Sequence, residues 1–219
     1  MEAQENIQKP NLMKILWKPT KEMQNIRQNP IIAFPLIMIT ILVVLAHTLK
    51  ALSISIEDIR LPGMSIQEAE MVAANTKAFT AMTGFISPVI TITAATILYY
   101  IMMKIARKEV TFKQLFSMNT FISFIGAIGL LANSLLWNVI DGSQTGVMLT
   151  SLGELFNQED ILLNSIELFT IWQLIVTAIG FQIVGRLSRL TSIILVFFFF
   201  LIRISLSVLG EGLFNIFIS

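Results

Sequence analysis

The chain has 219 residues and a formal net charge of +1, and 55% of its residues are hydrophobic while only 13% are charged. Since a soluble domain carries roughly 25% charged residues, this composition excludes an ordinary soluble protein, and the near-neutral charge argues against nucleic-acid binding. The chain has no cysteine, which excludes disulfides, thiolate nucleophiles and cysteine-ligated metals.

The first thirty residues are polar and basic. Residues 11–29 predict short amphipathic helices broken at Pro19, with apolar side chains on one side: Leu12, Ile15, Leu16, Met23 and Ile26. Such a segment lies on the inner membrane leaflet or docks under the transmembrane bundle. The alternative is a plain basic lead-in that only orients the first membrane helix. We therefore expect a cytoplasmic amphipathic segment over residues 1–30 and a transmembrane domain over 31–219.

Five long apolar runs follow this segment: Ile31–Leu52, Ala78–Met103, Leu115–Ile140, Ser165–Val184 and Thr191–Gly210. About 20 apolar residues cross the hydrocarbon core as a helix, and a helix satisfies all of its backbone polar groups within the segment. The first run lacks the short apolar core and cleavage site of a signal peptide. The runs predict an all-α, polytopic integral membrane protein built as a five-transmembrane-helix bundle.

The basic residues between the runs predict the orientation of the bundle. They cluster before the first run, after the second and after the fourth, whereas the loop 141–164 has no lysine or arginine. Because basic loops stay in the cytoplasm, we expect the N-terminus inside and the C-terminus outside. Five spans give the same result by parity. The expected location is a bacterial plasma membrane, with the chain crossing the bilayer several times.

The second membrane helix has a start signal well before its apolar run. Ser65 and Glu68 have the spacing of a capping box, in which each side chain bonds the backbone N–H of the other residue. The pattern predicts a helix from Ile66 to about Lys104, roughly 55–60 Å long. Pro88 falls inside this helix and is expected to kink it.

The same helix carries a hydroxyl face, because its threonines and serine recur every three or four residues: Thr76, Thr80, Thr83, Ser87 and Thr91. A polar stripe of this kind lines a conduit, or it lets helices approach closely and eases a proline kink through bonds to backbone carbonyls. We favour packing. The amide side chains within the spans are likewise expected to hydrogen-bond across helices: Asn133, Asn138, Gln173 and Gln182.

Arg203 is the strongest single candidate for a functional residue, because it is a charged residue inside the last apolar run. It lies about 10 Å from the outer end of that run at 1.5 Å per residue. An arginine at a helix centre costs about 2.5–3.5 kcal/mol, so we expect a partner. Glu167 is the candidate, and Glu211 is a second one. Two simpler alternatives stay open: Arg203 snorkels to the headgroups, and Glu167 completes a helix cap behind Asn164.

Enzymatic chemistry has little support in the sequence. His47 is the only histidine, and a metal site needs several ligands. No metalloprotease, serine hydrolase, P-loop or dinucleotide-binding motif occurs. We expect no enzymatic activity, no catalytic residue, no metal and no cofactor.

Four segments resemble the Yip family of polytopic membrane proteins, which contain the Rab-interacting Yip domain, and specifically its bacterial YknW-like branch. Residues 17–30, ending in Asn29-Pro30, resemble the family's proline-rich lead-in. Residues 110–117, with Phe112, are similar to its entry to the third helix. Residues 171–182, with Trp172 and Gly180, resemble its fourth helix, and residues 185–189 resemble the loop into the fifth. The resemblance covers about residues 12–210.

The resemblance implies five helices with the N-terminus in the cytoplasm, and in bacteria an accessory component associated in some members with ABC-type exporters. The eukaryotic Asp-Leu-Tyr-Gly-Pro signature is missing, so trafficking GTPases are not expected as partners. We interpret the chain as a non-enzymatic accessory or assembly protein that binds the lipid bilayer and other integral membrane proteins, among them exporter components. The alternative is a small transporter, channel or lipid-moving protein. The sequence leaves a homo-oligomer open.

Overall fold

The computed structural model describes residues 8–57, 59–140, 150–156, 163 and 166–218, and only the backbone of 138–140, 207, 208 and 210–218. A 3-10 turn, Met13–Leu16, precedes seven α-helices in the described residues. These helices are α1 Pro19–Gln28, α2 Ala33–Ser53, α3 Ile66–Ile105, α4 Phe112–Ile140, α5 Leu152–Leu155, α6 Leu168–Ile183 and α7 Arg189–Ile218. The part of the chain that is described has no named strand, only the isolated bridge Ser151–Glu167.

Helix α4 is the centre of the bundle. It packs against α1, α2, α3 and α6, and its fully buried side chains fill the space between them: Leu115, Met118, Phe121 and Ile125. Helix α7 lies at the edge, where it packs on α6 and its Phe199 ring contacts Tyr99 of α3 at a centroid distance of 5.0 Å. The bundle therefore has one buried helix and leaves most of the α7 surface open.

Four helices are long and apolar enough to cross a membrane by length and composition: Ala33–Ser53, Ile66–Ile105, Phe112–Trp137 and Arg189–Leu206. The fourth apolar run forms α6, which has 16 residues. At 1.5 Å per residue α6 is about 24 Å long, shorter than a hydrocarbon core of about 30 Å. The helical membrane fold is thus confirmed, whereas the count of five spans stays a prediction.

The predicted long helix is confirmed over Ile66–Ile105, and its N-terminus carries the expected capping box. The Ser65 Oγ accepts from the Glu68 backbone N–H at 3.3 Å, and the Glu68 carboxylate accepts from the Ser65 N–H at 2.9 Å. Pro88 lies inside the helix. The first membrane helix begins later than its apolar run, at Ala33 instead of Ile31. Pro35 has no N–H to donate to the Ile31 carbonyl, so the first bond of the helix runs from the Leu36 N–H to the Ile32 carbonyl.

The N-terminal segment docks on the bundle. A turn and α1 meet at Pro19, as the sequence predicts, and Pro19 is the first residue of α1, where no N–H is needed. Ile15, Met23 and Ile26 are fully buried, and α1 packs against α4 and α6. The segment was expected either to lie on the inner leaflet or to dock under the bundle. The structure shows the docked arrangement, with the apolar side facing protein.

Candidate functional site

A cavity of about 230 Å³, whose mostly apolar lining includes several polar side chains, lies between α2, α3, α4 and α6. Its apolar lining comes mostly from α2 and α4. Its polar lining is the side chains of His47, Ser87, Thr91, Ser123 and Gln173. These five residues lie within apolar helices. Polar groups there need partners, because acyl chains offer none. The cavity is the candidate site of this protein.

His47 is held in one tautomer by α3. Its Nδ1 lies 3.1 Å from the Thr80 carbonyl oxygen and 3.0 Å from the Thr83 Oγ1. A carbonyl only accepts, so Nδ1 carries a hydrogen. The Thr83 hydroxyl donates its own hydrogen to the Thr80 carbonyl at 2.7 Å, which agrees with that assignment. In the neutral imidazole Nε2 is therefore a bare acceptor.

The predicted hydroxyl face divides into two roles. Thr83 and the backbone of Thr80 bind His47, whereas Ser87 and Thr91 line the cavity. The Thr91 hydroxyl also donates to the Ser87 carbonyl at 2.7 Å, the kind of backbone bond that eases a proline kink. The face thus serves packing and lines a cavity at once.

Glycines let the helices meet closely around the cavity. A Cβ on Gly84 would lie 3.0 Å from the Val44 Cα, so α2 and α3 touch here. A Cβ on Gly126 would lie 2.5 Å from the Gln173 Nε2, so this glycine makes the room that the amide occupies. From there Gln173 donates to the Ile122 carbonyl at 3.2 Å and bridges α6 to α4. The expected cross-helix bond of Gln173 is confirmed.

Glu167 lies away from the cavity, in a buried polar cluster at the end of α4. Its Oε1 accepts from the Asn133 amide at 3.3 Å and from the Thr150 hydroxyl at 3.0 Å, and its Oε2 accepts from the Thr170 hydroxyl at 3.0 Å. The Asn133 Oδ1 in turn accepts from the Thr150 N–H at 3.2 Å. The cluster ties the segment before α5 to the start of α6.

The structure does not bring Arg203 to Glu167. Among the described residues, the hydrogen-bond partners of the Glu167 carboxylate are Asn133, Thr150 and Thr170. Arg203 lies on α7 with an exposed side chain. Glu167 is the N-cap residue of α6 but makes no side-chain cap bond. The side chains of Glu211 and Asn138, as well as Asn164, lie outside the described residues.

The family-like residues at the basic end of the bundle hold the N-terminal segment in place. The term "basic end" denotes the end of the bundle where α1, the start of α4 and the end of α6 meet. Asn29 ends α1, with its N–H on the Asn25 carbonyl, and Pro30 follows. Phe112 begins α4. Two residues later the Gln114 amide donates to the Arg27 carbonyl at 2.7 Å. The motif thus fastens α1 to α4.

Gly180 and Trp172 pack the middle of the bundle. Gly180 is buried, and a Cβ there would lie 2.7 Å from the Met118 sulfur and 3.4 Å from the Met23 sulfur. It is therefore the place where α1, α4 and α6 meet most closely. Trp172 packs against the buried core from α6.

Sequence patterns alone missed two features of the site. His47 was considered as a metal ligand and not as a partner of the hydroxyl face, and Ser123 was not singled out. Two glycines could have indicated these features. Gly84 lies one helical turn after Thr80, and Gly126 lies one turn after Ser123. In the described part of the chain, no three His, Cys, Asp or Glu side chains lie together as a metal site would need.

A family model described as "Yip1 domain" matches residues 13–210. The chain is similar to "Membrane protein YknW" of Bacillus subtilis (strain 168), with 27% identity over 190 residues that cover 83% of this chain and 81% of that protein. No solved structure matches.

Proposed function

The chain belongs to the Yip1 domain family, and on this premise we propose that it is a non-enzymatic accessory or assembly protein that binds another integral membrane protein. It acts in a bacterial plasma membrane as a five-helix bundle, with residues 1–30 in the cytoplasm and the C-terminus outside. One observation supports this orientation. The hydrogen bonds of Arg27 to the Ile183 carbonyl and of Gln114 to the Arg27 carbonyl gather the basic segments at one end, as the positive-inside rule requires.

The exposed side chain of Arg203 carries the proposal of a protein partner. It lies 14 residues into α7, which is roughly 21 Å from the start of that helix at 1.5 Å per residue. Leu206, three residues further along the same face of the helix, is an exposed apolar side chain. A charged group on such a face is costly in lipid unless another charge or a headgroup meets it. An acidic or carbonyl group on a helix of the partner would remove that cost.

We propose a component of an ABC-type exporter as this partner. The support is the resemblance of the chain to the bacterial branch of its family, in which some members accompany such exporters. The exposed α7 gives the contact a place, because within the described residues α7 packs mainly on α6, with ring contacts to α3.

Replacing Arg203 by glutamine is expected to lower the recovery of the partner about tenfold, which corresponds to a loss of about 1.4 kcal/mol. The protein is expressed at its native level, crosslinked, extracted in mild detergent and purified, and the partner is quantified by mass spectrometry. Arg189→Gln is the matched control, because it removes an arginine from the first turn of the same helix. Recovery of the isolated chain only, or equal losses in both variants, contradicts the proposal.

The cavity favours a second candidate, a small transporter or lipid-moving protein. Polar side chains from α2, α3, α4 and α6 meet there at membrane depth, which is where such proteins hold their cargo. Liposomes that contain the purified chain would then show movement of an ion or a labelled lipid above that of empty liposomes. Absence of any such movement rejects this candidate and leaves the partner-binding proposal untouched.

A further inference from the structure

The cavity has hydrogen-bonding groups that the protein itself does not use. Within the described residues, no hydrogen bond involves the His47 Nε2, the Ser87 Oγ, the Ser123 Oγ or the Gln173 Oε1, whereas the other nitrogens of His47 and Gln173 are engaged. All four residues line the same cavity. Since an unpaired polar group costs free energy in an apolar environment, these groups are suited to meet a polar occupant.

The chemistry of the lining selects a neutral occupant that donates hydrogen bonds. Among the described residues, no charged side chain lines the cavity, so an anionic or cationic group would enter without a counter-charge, which is expensive in an apolar environment. The His47 Nε2 and the Gln173 Oε1 only accept, and the two serine hydroxyls donate or accept. An occupant with two or more hydroxyl groups satisfies this set.

The size of the cavity fits such a group. A water molecule takes about 30 Å³ in the liquid, so a cavity of about 230 Å³ holds several waters or one glycerol-sized group. It does not hold the acyl chains of a lipid as well. A lipid would therefore insert only its head.

The mouth of the cavity indicates that the occupant comes from the bilayer. Thr91 is exposed on α3, and the apolar residues nearest to it on the helix surface, Ile90 and Ala94, are exposed too. These residues lie near the middle of a helix that spans the membrane by length, where acyl chains surround the protein. Acyl chains of a bound lipid would lie along this exposed surface while its head enters past Thr91.

We propose that this cavity binds the head of a neutral, hydroxyl-bearing lipid of the diacylglycerol type, with His47 Nε2 as the central acceptor. The absence of charge lets such a head leave the membrane surface, which a phosphate-bearing head does only at high cost. The site is distinct from the proposed partner contact, because no residue of α7 lines the cavity. Loss of the partner and loss of the lipid are therefore separate outcomes.

The test measures binding of fluorescent dioleoylglycerol to the full-length protein in phosphatidylcholine nanodiscs. Saturable binding is expected for the unaltered protein. Ser87→Leu fills the cavity and is expected to weaken binding at least tenfold, and His47→Phe keeps the ring shape without the acceptor and is expected to weaken it about fivefold, the loss of one hydrogen bond of about 1 kcal/mol. Thr93→Leu is the matched control on α3, because Thr93 does not line the cavity, and its affinity is expected to stay unchanged.

Circular dichroism of each variant verifies that the helices form. If His47→Phe does not fold, the binding measured for Ser87→Leu still tests the proposal. Absence of saturable binding, or equal binding in all variants, overturns the proposal. Free glycerol is the probe for a water-soluble source of the same chemistry. Displacement of the lipid by glycerol at matched concentrations overturns the assignment to a lipid, and failure of glycerol to compete supports it.

Discussion

Replacing Asn133 by leucine is expected to destabilise the folded protein by about 3 kcal/mol, because the Thr150 N–H loses its acceptor and the buried Glu167 carboxylate loses one of its three donors. Asn133 is 1% exposed. Its amide donates to the Glu167 carboxylate, and its Oδ1 accepts from the Thr150 N–H. Leucine has nearly the same size but satisfies neither group. Titration of the purified protein from mild detergent into sodium dodecyl sulfate, followed by circular dichroism, measures the change.

The double variant Asn133→Leu with Glu167→Leu is the control for this interpretation. Asn133→Leu alone leaves the buried Glu167 carboxylate one donor short, and the second change removes that carboxylate, so removing both partners costs less than removing one. We therefore expect the double variant to unfold at a higher detergent fraction than Asn133→Leu alone. If the two losses instead add, Asn133 stabilises the protein by packing and the cluster has no cooperative role.

Replacing Gly129 by alanine is expected to cost about 3 kcal/mol, the upper part of the range for overpacking a filled core. A Cβ at this position would lie 2.6 Å from the Phe169 Cγ and 2.7 Å from its Cβ. Neither atom is the free end of a flexible chain, so α4 and α6 would have to separate. The same detergent titration reports the loss of stability.

Gly126→Ala is the matched comparison, one turn earlier on α4. Its added Cβ would meet only the amide group at the end of Gln173, 2.5 Å away. That amide is able to turn into the adjoining cavity, since Gln173 lines it. We expect Gly126→Ala to lose about 1 kcal/mol, the contribution of one hydrogen bond. Equal losses at the two positions would show that the cavity offers no room for the amide.

The local features that the sequence predicts are those set by neighbours in the chain. The Ser65–Glu68 capping box fixes the start of α3 because both partners lie in one helical turn. Pro19 fixes the start of α1, because it has no backbone N–H to donate to the carbonyl of a preceding helical turn. Hydropathy likewise predicts α2, α4 and α6 to within three residues at each end, whereas α3 begins 12 residues before its apolar run, which starts at Ala78. Each of these depends on covalent proximity or on the average apolarity of a segment.

The candidate site could not be derived in this way. Helical periodicity alone places Ser87 and Thr91 on one face of α3, but it does not indicate which helix that face contacts. Glu167 illustrates the difficulty, because the topology makes it only a candidate partner of Arg203, on the ground that both lie towards the outer side of the membrane. The tertiary structure supplies three neutral donors instead. Neutral donors are common in every apolar run, so their choice leaves no pattern in the sequence.

The sequence by itself determined that this is a helical membrane protein and where its long helices lie, because the bilayer acts on the hydropathy of each segment separately. Only the tertiary structure decided that α4 is buried, that α7 is peripheral, and that His47 of α2 meets the hydroxyl face of α3. The contact of His47 with α3 depends on the close approach of α2 at Gly84, and that of α4 with α6 on the room at Gly126. Between apolar helices in lipid, association is set by shape and hydrogen bonds instead of hydrophobicity. Hydropathy therefore carries no information about which helix packs against which.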